Sequence, residues 1–451
     1  MVASAPPAAR RRRRTHHPAW TVAAVTFVTL LGAAGFRSAP GVLLVPLHDE
    51  LGWSRTAISA AVAVNLVLFG LAGPFAAALM ARYGLRRVVL SALLTVATAA
   101  AATTAMTAPW QFVVLWGVVV GAGSGCMATV LAATVASRWF VARRGLVVGA
   151  LTAATATGQL AFLPVLGWLA EHAGWRWVSW VTAAGALAVV PLVYRWLRDD
   201  PADVGAVPYG AGTDHVPPPR ADRPIGAAVD ALRLAARVPA FWWLALSFLV
   251  CGVSTNGLIG THFIAAAVDH DVSETSASSL LALVGLFDIA GTLASGWLTD
   301  RIDPRRLLLA YYGFRGLSLL VLNHVLDARG LGLVGFVVFY GLDWVATVPP
   351  TVALCNQLFP VERAGVVYGW VFAAHQLGAA GAAYAAGAIR SATGSYELAF
   401  HTAGALSIVA AGAVQLVRGG SDPASRPPGT GPPTDGPLAP VPAAAVTGPG
   451  G

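Results

Sequence analysis

The sequence predicts an all-α integral membrane protein, with twelve membrane-crossing helices in two pseudo-symmetric six-helix bundles. Three observations carry this. The 451 residues are 56% hydrophobic and only 11% charged, with a mean hydropathy of +0.67. A soluble domain carries about 25% charged residues, so this composition cannot clothe a water-facing surface. Apolar runs long enough to cross roughly 30 Å of hydrocarbon recur twelve times, and the second six repeat features of the first at a fixed offset.

Taken in order, Arg10 to Arg14 form a basic leader over residues 1–18. The apolar run that follows from Trp20 is too long, and lacks the small-residue cleavage site, for a secretory signal, so it is a first span at about 19–47. The remaining spans of the first half fall at about 56–80, 87–107, 110–137, 145–170 and 175–197, giving a bundle over 19–197. In the fourth, Gly117, Gly121 and Gly125 have the small-xxx-small spacing of tight helix packing. Residues 198–238 mix charges with Pro201, Pro208, Pro217 to Pro219 and Pro224, the composition of an irregular linker ending in a short amphipathic stretch. The second bundle, 239–418, has spans at about 239–267, 275–299, 306–326, 331–358, 364–390 and 396–417, with Pro349-Pro350 interrupting the tenth. The Pro/Gly/Ala-rich tail over 419–451 is expected to be disordered.

Charge orients the chain. All 29 basic residues are arginine and, with 21 acids, give +8. This is not a nucleic-acid surface, because the arginines lie between apolar runs. With both termini in the cytoplasm, 23 arginines fall on the inner side and only Arg55, Arg176, Arg329 and Arg390 on the outer, leaving Arg37 and Arg315 within spans. The expected location is a cell membrane, with lipids as the solvent. Cys126, Cys251 and Cys355 lie in apolar runs without disulfide or metal spacing and are expected to pack as small apolar residues.

The repeat is legible at its loops. Arg82, Arg86 and Arg87 follow the second span as Arg301, Arg305 and Arg306 follow the eighth, and one offset in numbering carries each residue of the first set onto its partner in the second. Ser54 and Thr56 match Ser273 and Thr275 at the same offset.

Gly296-Trp297-Leu298-Thr299-Asp300-Arg301, with Arg305 and Arg306, is similar to the loop motif of the major facilitator superfamily. The first-half copy departs from it, with Ala77 and Ala81 where the glycine and aspartate would stand. Trp139-Phe140-Val141-Ala142-Arg143-Arg144-Gly145-Leu146-Val147-Val148-Gly149 resembles the loop 4-5 signature of the monocarboxylate-transporter-like branch. The acidic-Gly-aromatic signature of eukaryotic members is absent from the first span. So is a Gly-Pro pair in the fifth, where drug/proton antiporters carry one.

The resemblance implies a secondary active transporter, not an enzyme, that works by alternating access on a small organic anion such as a monocarboxylate, with protons as co-substrate or by exchange. It implies no cofactor and a monomer. Two alternatives stay open: an exporter of a cationic or neutral metabolite, and a transporter-like sensor that binds ligand without net flux. No phosphate-cradling loop, metal cluster or nucleophilic triad is legible, and Asp269-His270-Asp271 is best read as a solvated cap on the eighth helix.

Ionisable groups within spans point to function, since each costs about 2.5–3.5 kcal/mol to insert unless it faces protein or water. The candidates are Arg37, Asn256, His262, Asp343 and His375 for substrate, and Asp288, Asp343 and Arg315 for proton coupling or charge pairing. Arg37 leads, because a planar guanidinium fits a carboxylate and the flanking Gly35, Pro40 and Gly41 loosen the helix. Its other reading is a side chain snorkelling to the outer headgroups. Arg315 is expected to pair with Asp288 or Asp343. His375 is read either as a proton carrier or as a hydrogen-bond donor. Relatives have an aspartate at Asp288 with an arginine one turn later, where this chain has Thr292.

Overall fold

The computed structural model describes residues 17–127, 129–212, 224–328 and 330–417. The expectations for the basic leader, the middle of the linker and the tail therefore fall mainly outside the described residues.

Local capping chemistry sets the helix ends. Helix 1, Pro18–Leu51, begins with proline at its first position, where no amide is needed, and ends at Gly52, whose φ of 66° is left-handed. Helix 2, Arg55–Tyr83, starts at Ser54, whose hydroxyl accepts from the Ala57 amide at 3.2 Å. Helix 8, Glu274–Thr299, starts at Ser273, whose hydroxyl accepts from the Ser276 amide at 3.2 Å. Two serines related by the repeat offset thus cap equivalent helices, as a duplicated unit requires.

The other membrane helices are helix 3, Leu85–Thr103; helix 4, Pro109–Trp139; helix 5, Arg144–Ala173; and helix 6, Trp175–Trp196. In the second bundle they are helix 7, Pro239–Asp269; helix 9, Pro304–Ala328; helix 10, Leu331–Leu358; helix 11, Val361–Thr393; and helix 12, Glu397–Leu416. Among the described residues, ten of these twelve are long and apolar enough by themselves to cross a membrane. Helices 9 and 11 are long enough but more polar. Helix 9 carries Arg315, Asn323 and His324, and helix 11 carries His375 and Gln376 among alanines and glycines, so partners must cover these groups. In the linker a helix over Pro224–Ala235 is tied to helix 11 by Trp370, whose indole donates to the Ala228 carbonyl at 2.9 Å.

Helices 4, 7 and 10 are irregular. Helix 7 widens into a π-helical stretch at Val253–Ile259. Helix 4 has one at Val113–Val120 and then breaks, its last segment resuming at Thr129. Helix 10 breaks after Asp343 and resumes at Val348, the repeat partner of Thr129, so the two breaks are pseudo-symmetric. In helix 10 the cause is Pro349-Pro350, which supply no amides to the preceding turn.

Helix 4 lies flush on helix 2. A Cβ on Gly117 would meet the Ala61 carbonyl oxygen at 3.0 Å, and one on Gly121 would meet the Asn65 Cα at 2.9 Å. The glycine row is a packing surface. Helix 2 packs on helix 11 and helix 5 on helix 8, and these two crossings join the bundles.

Candidate functional site

Between the bundles lies a narrow cavity of about 60 Å³, lined from helices 1, 2, 5, 7, 8 and 10. Its walls follow the repeat. Arg37 and Asn256, Gly41 and Gly260, Val62 and Leu281, Asn65 and Val284, and Leu66 and Gly285 all line it, and each pair is related by the offset that carries Arg82 onto Arg301. The cavity therefore lies on the pseudo-symmetry axis, and chemistry distinguishes its halves where geometry does not. The first half supplies a guanidinium where the second supplies an amide.

Arg37 is the one charged residue among the described lining residues. Its guanidinium carbon stands 4.3 Å from the centroid of the Phe69 ring, a cation–π contact, and no described carboxylate pairs with it. It lines the cavity near the middle of helix 1. Neutral polar groups surround it. Gln159 and Ser38 line the cavity; Asn65 donates to the Trp116 carbonyl at 2.7 Å; the Thr261 hydroxyl donates to the Asn256 carbonyl at 2.8 Å. Phe69, Asn65, Gln159 and Trp344 escaped the sequence reading because neutral side chains give no intramembrane charge signal. The repeat offset, extended from the loops into the spans, points to Asn256 opposite Arg37.

The buried charges of the second bundle are committed elsewhere. Arg315 Nε donates to Asp343 Oδ2 at 2.5 Å, with side chains 0% and 8% exposed. The same guanidinium donates from Nη2 to the carbonyls of Asp343 and Trp344 at 2.5 and 3.2 Å, and from Nη1 to Cys251 Sγ at 2.9 Å. The Val345 amide donates to Asp288 Oδ1 at 3.0 Å, and the Thr292 hydroxyl to the same oxygen at 2.9 Å. The Ser295 hydroxyl donates to the Ala346 carbonyl at 2.5 Å. Side chains of helices 8 and 9 thus satisfy, one by one, the backbone groups freed by the break in helix 10, which lipid could not do. Asp343, a substrate-site candidate, does not line this cavity and is held by Arg315. Of the candidate pairings for Arg315, Asp343 is the one formed. The cysteine expectation also changes, because Cys251 accepts from Arg315 and touches the Thr347 hydroxyl, and Cys126 is only half buried.

His262 does not line the cavity either. It is fully buried outside the cavity, with Nε2 donating to the Ala383 carbonyl at 2.8 Å and Nδ1 3.2 Å from the Tyr396 hydroxyl. That hydroxyl accepts from Arg55 at 3.2 Å, so His262 belongs to a closure at the distal face, the one opposite the start of helix 1. There Arg55 and Arg390 both grip Asp269, the Thr56 hydroxyl donates to Ser391 at 3.0 Å, and the Thr275 hydroxyl donates to Glu171 at 2.7 Å. Thr56 and Thr275 are repeat partners, so the distal contacts too are pseudo-symmetric. Among the described residues, the hydrogen bonds between the bundles lie at this face. His375 sits behind the cavity wall. Its ring stacks on Phe372 at 5.7 Å, its Nε2 is 3.4 Å from Asn256 Nδ2, and its Nδ1 is buried with no hydrogen-bond partner among the described residues.

The loop arginines differ between halves. After helix 8, Arg301 donates to the Trp297 carbonyl at 2.8 Å and not to Asp300, and Arg305 pairs with Asp303 at 3.1 Å. Slight burial opposes ionisation of Asp303, but bonds from the Arg305 amide and guanidinium hold its carboxyl below the usual range. After helix 2, Arg82 and Arg86 lie over the rings of Tyr83 and Tyr194, and Arg87 joins them at a surface pocket.

Residues 25–383, and again 263–448, match the family model described as Major Facilitator Superfamily. The chain is 26% identical over 396 residues to the MFS-type transporter YcxA of Bacillus subtilis (strain 168), covering 84% of this chain and 90% of the relative. It is 24% identical over 398 residues to monocarboxylate transporter 13 of Bos taurus, covering 87% and 88%. The fold superposes on a D-xylose-proton symporter with a TM-score of 0.69 at 15% identity, covering 88% of this chain and 97% of that one. An inward-facing, unoccupied bacterial homologue of the lysosomal transporter Spinster also gives 0.69 at 15% identity, covering 90% and 98%.

Proposed function

This chain belongs to the Major Facilitator Superfamily and is a membrane transporter, and from that premise we propose that it moves a small organic anion, of the monocarboxylate class, by alternating access. The observation that carries the reading is Arg37, a guanidinium in the central cavity that no carboxylate among the described residues neutralises. A permanently charged planar fork in a confined, weakly polar space has its charge completed by an anion, and a carboxylate meets two of its donors at once. The narrow cavity favours a small solute. Relatives named as monocarboxylate transporters point the same way.

Uphill movement needs a second ion or exchange. His375, with one ring nitrogen unpartnered among the described residues and the other beside Asn256, is the group we assign to a proton; Asp288 and Asp343 are held by the helix 10 backbone and Arg315. With both termini cytoplasmic, the hydrogen-bonded distal face is the outer one. An exporter of cations would want a free carboxylate at the cavity, and none is among the described lining residues.

The test is flux into proteoliposomes under an imposed pH gradient, across a panel of carboxylates. Uptake of one or more carboxylates, lost in Arg37→Gln protein that is folded and inserted as well as wild type, is the expected result. Absence of flux for every anion, or unchanged affinity in Arg37→Gln, overturns the reading.

A further inference from the structure

The three arginines after helix 2 and the three after helix 8 are repeat partners, yet the two sets are used differently within the chain. Arg301 and Arg305 spend their donors on Trp297, Asp303 and the Val417 carbonyl. In the first bundle, Arg82, Arg86, Arg87 and Arg138 converge on one open pocket between the ends of helices 2, 3, 4 and 6, on the face from which helix 1 starts. None of the four has a carboxylate within ion-pair distance among the described residues.

Asp199, Asp200 and Asp203 line the same pocket, so four guanidinium groups share it with three carboxylates, but among the described residues none of the three forms an ion pair with those four arginines. Asp199 Oδ1 accepts from the Arg86 backbone amide at 2.7 Å and so closes the start of helix 3, while Asp203 Oδ2 accepts from the Asp200 amide at 3.0 Å. Arg138 reaches only the Asp199 carbonyl, at 3.5 Å. Arg86 lies 4.6 Å over the Tyr194 ring, which leaves its in-plane donors available. Met80 and Leu90 add an apolar side to the same pocket. Four guanidinium groups against three carboxylates leave the pocket one cation in excess, and with Met80 and Leu90 beside them, at the end of a membrane helix, they match a group that is anionic at its head and apolar behind it.

We propose that this pocket binds a phosphate-bearing anion, and that at this depth the phosphate is the headgroup of an acidic phospholipid. Planar guanidinium forks suit phosphate oxygens, and several acting together separate a phosphate monoanion from a zwitterionic headgroup. Binding there bridges helices 2, 3, 4 and 6 and stabilises the first bundle as a unit.

The experiment uses the purified full chain, titrated in neutral detergent with phosphatidylglycerol, phosphatidylcholine or inorganic phosphate, with thermal unfolding and native mass spectrometry as readouts. The expected result is retained lipid adducts and a raised Tm with phosphatidylglycerol, absent with phosphatidylcholine. Affinity should fall about tenfold or more in Arg82→Gln/Arg87→Gln protein and stay unchanged in Arg301→Gln. Stabilisation by inorganic phosphate that the double variant loses keeps the phosphate site and assigns it to a soluble ligand. Should the double variant fail to fold, Arg87→Gln alone is measured, with a weaker loss expected. Equal binding of the two lipids with no response to phosphate, or undiminished binding in the arginine variants, overturns the proposal.

Discussion

Arg55 of the first bundle grips Asp269 of the second through both terminal nitrogens, at 3.2 and 2.8 Å, and Arg390 holds the same carboxylate at 2.7 and 3.2 Å. One carboxylate thus fastens two arginines across the distal face. Asp269→Asn leaves the arginines facing each other without the charge that joins them, a loss of about 2 kcal/mol or more in a partly buried site. The population should shift at least tenfold toward a state open on that face. Spin labels on the exposed residues Ala105 and Ala392 report it: the distance between them lengthens in the variant, and an unchanged distribution excludes a gating role.

Removing one member of the Arg315–Asp343 pair leaves the other charged and buried, at a cost of about 3–5 kcal/mol. Arg315→Met and Asp343→Leu should each lower the Tm sharply in detergent. The double variant should recover only part of the loss, because the Asp343 and Trp344 carbonyls still lack their donor. Full recovery would mean that the guanidinium does not hold the helix 10 break.

Gln376 is fully buried beside Gly70, and neither its amide nitrogen nor its oxygen has a hydrogen-bond partner among the described residues. An unsatisfied buried amide costs about 1–3 kcal/mol. Gln376→Met should therefore raise the Tm of this conformation by a few degrees. A lowered Tm would show that water or a partner satisfies the amide.

Close helix packing gives a paired comparison on helices 7 and 11. A Cβ at Gly252 would collide with the His375 carbonyl oxygen, which is backbone and cannot swing aside, whereas one at Gly381 meets nothing within 4 Å. Gly252→Ala should cost about 2 kcal/mol or more and disturb transport by displacing His375. Gly381→Ala should be neutral or slightly stabilising. Equal Tm values for the two variants would rule out the tight crossing.

Much of the architecture was legible because lipid is an exacting solvent. Apolar run length, arginine placement and the constant repeat offset foretold the helices, and the offset was written in residues that do local work. Ser54 and Ser273 are caps, and capping depends on immediate neighbours alone. The candidate site was legible only where a residue was out of place for a membrane. Arg37 stood out for that reason, while Asn65, Gln159, Phe69 and Trp344 did not.

The sequence by itself determined that Arg37, Asp288, Arg315, Asp343, His262 and His375 lie within membrane helices, since burial of charge is visible from the chain. Which of them meet was decided only by the tertiary structure. Asp343 is 28 residues from Arg315 and His262 is 134 from Tyr396, and nothing local to either sequence selects those partners. Helix rotation and the break before Pro349-Pro350 select them. Once the freed carbonyls of helix 10 needed a donor, Arg315 was spent there, and Arg37 was left as the cavity's cation.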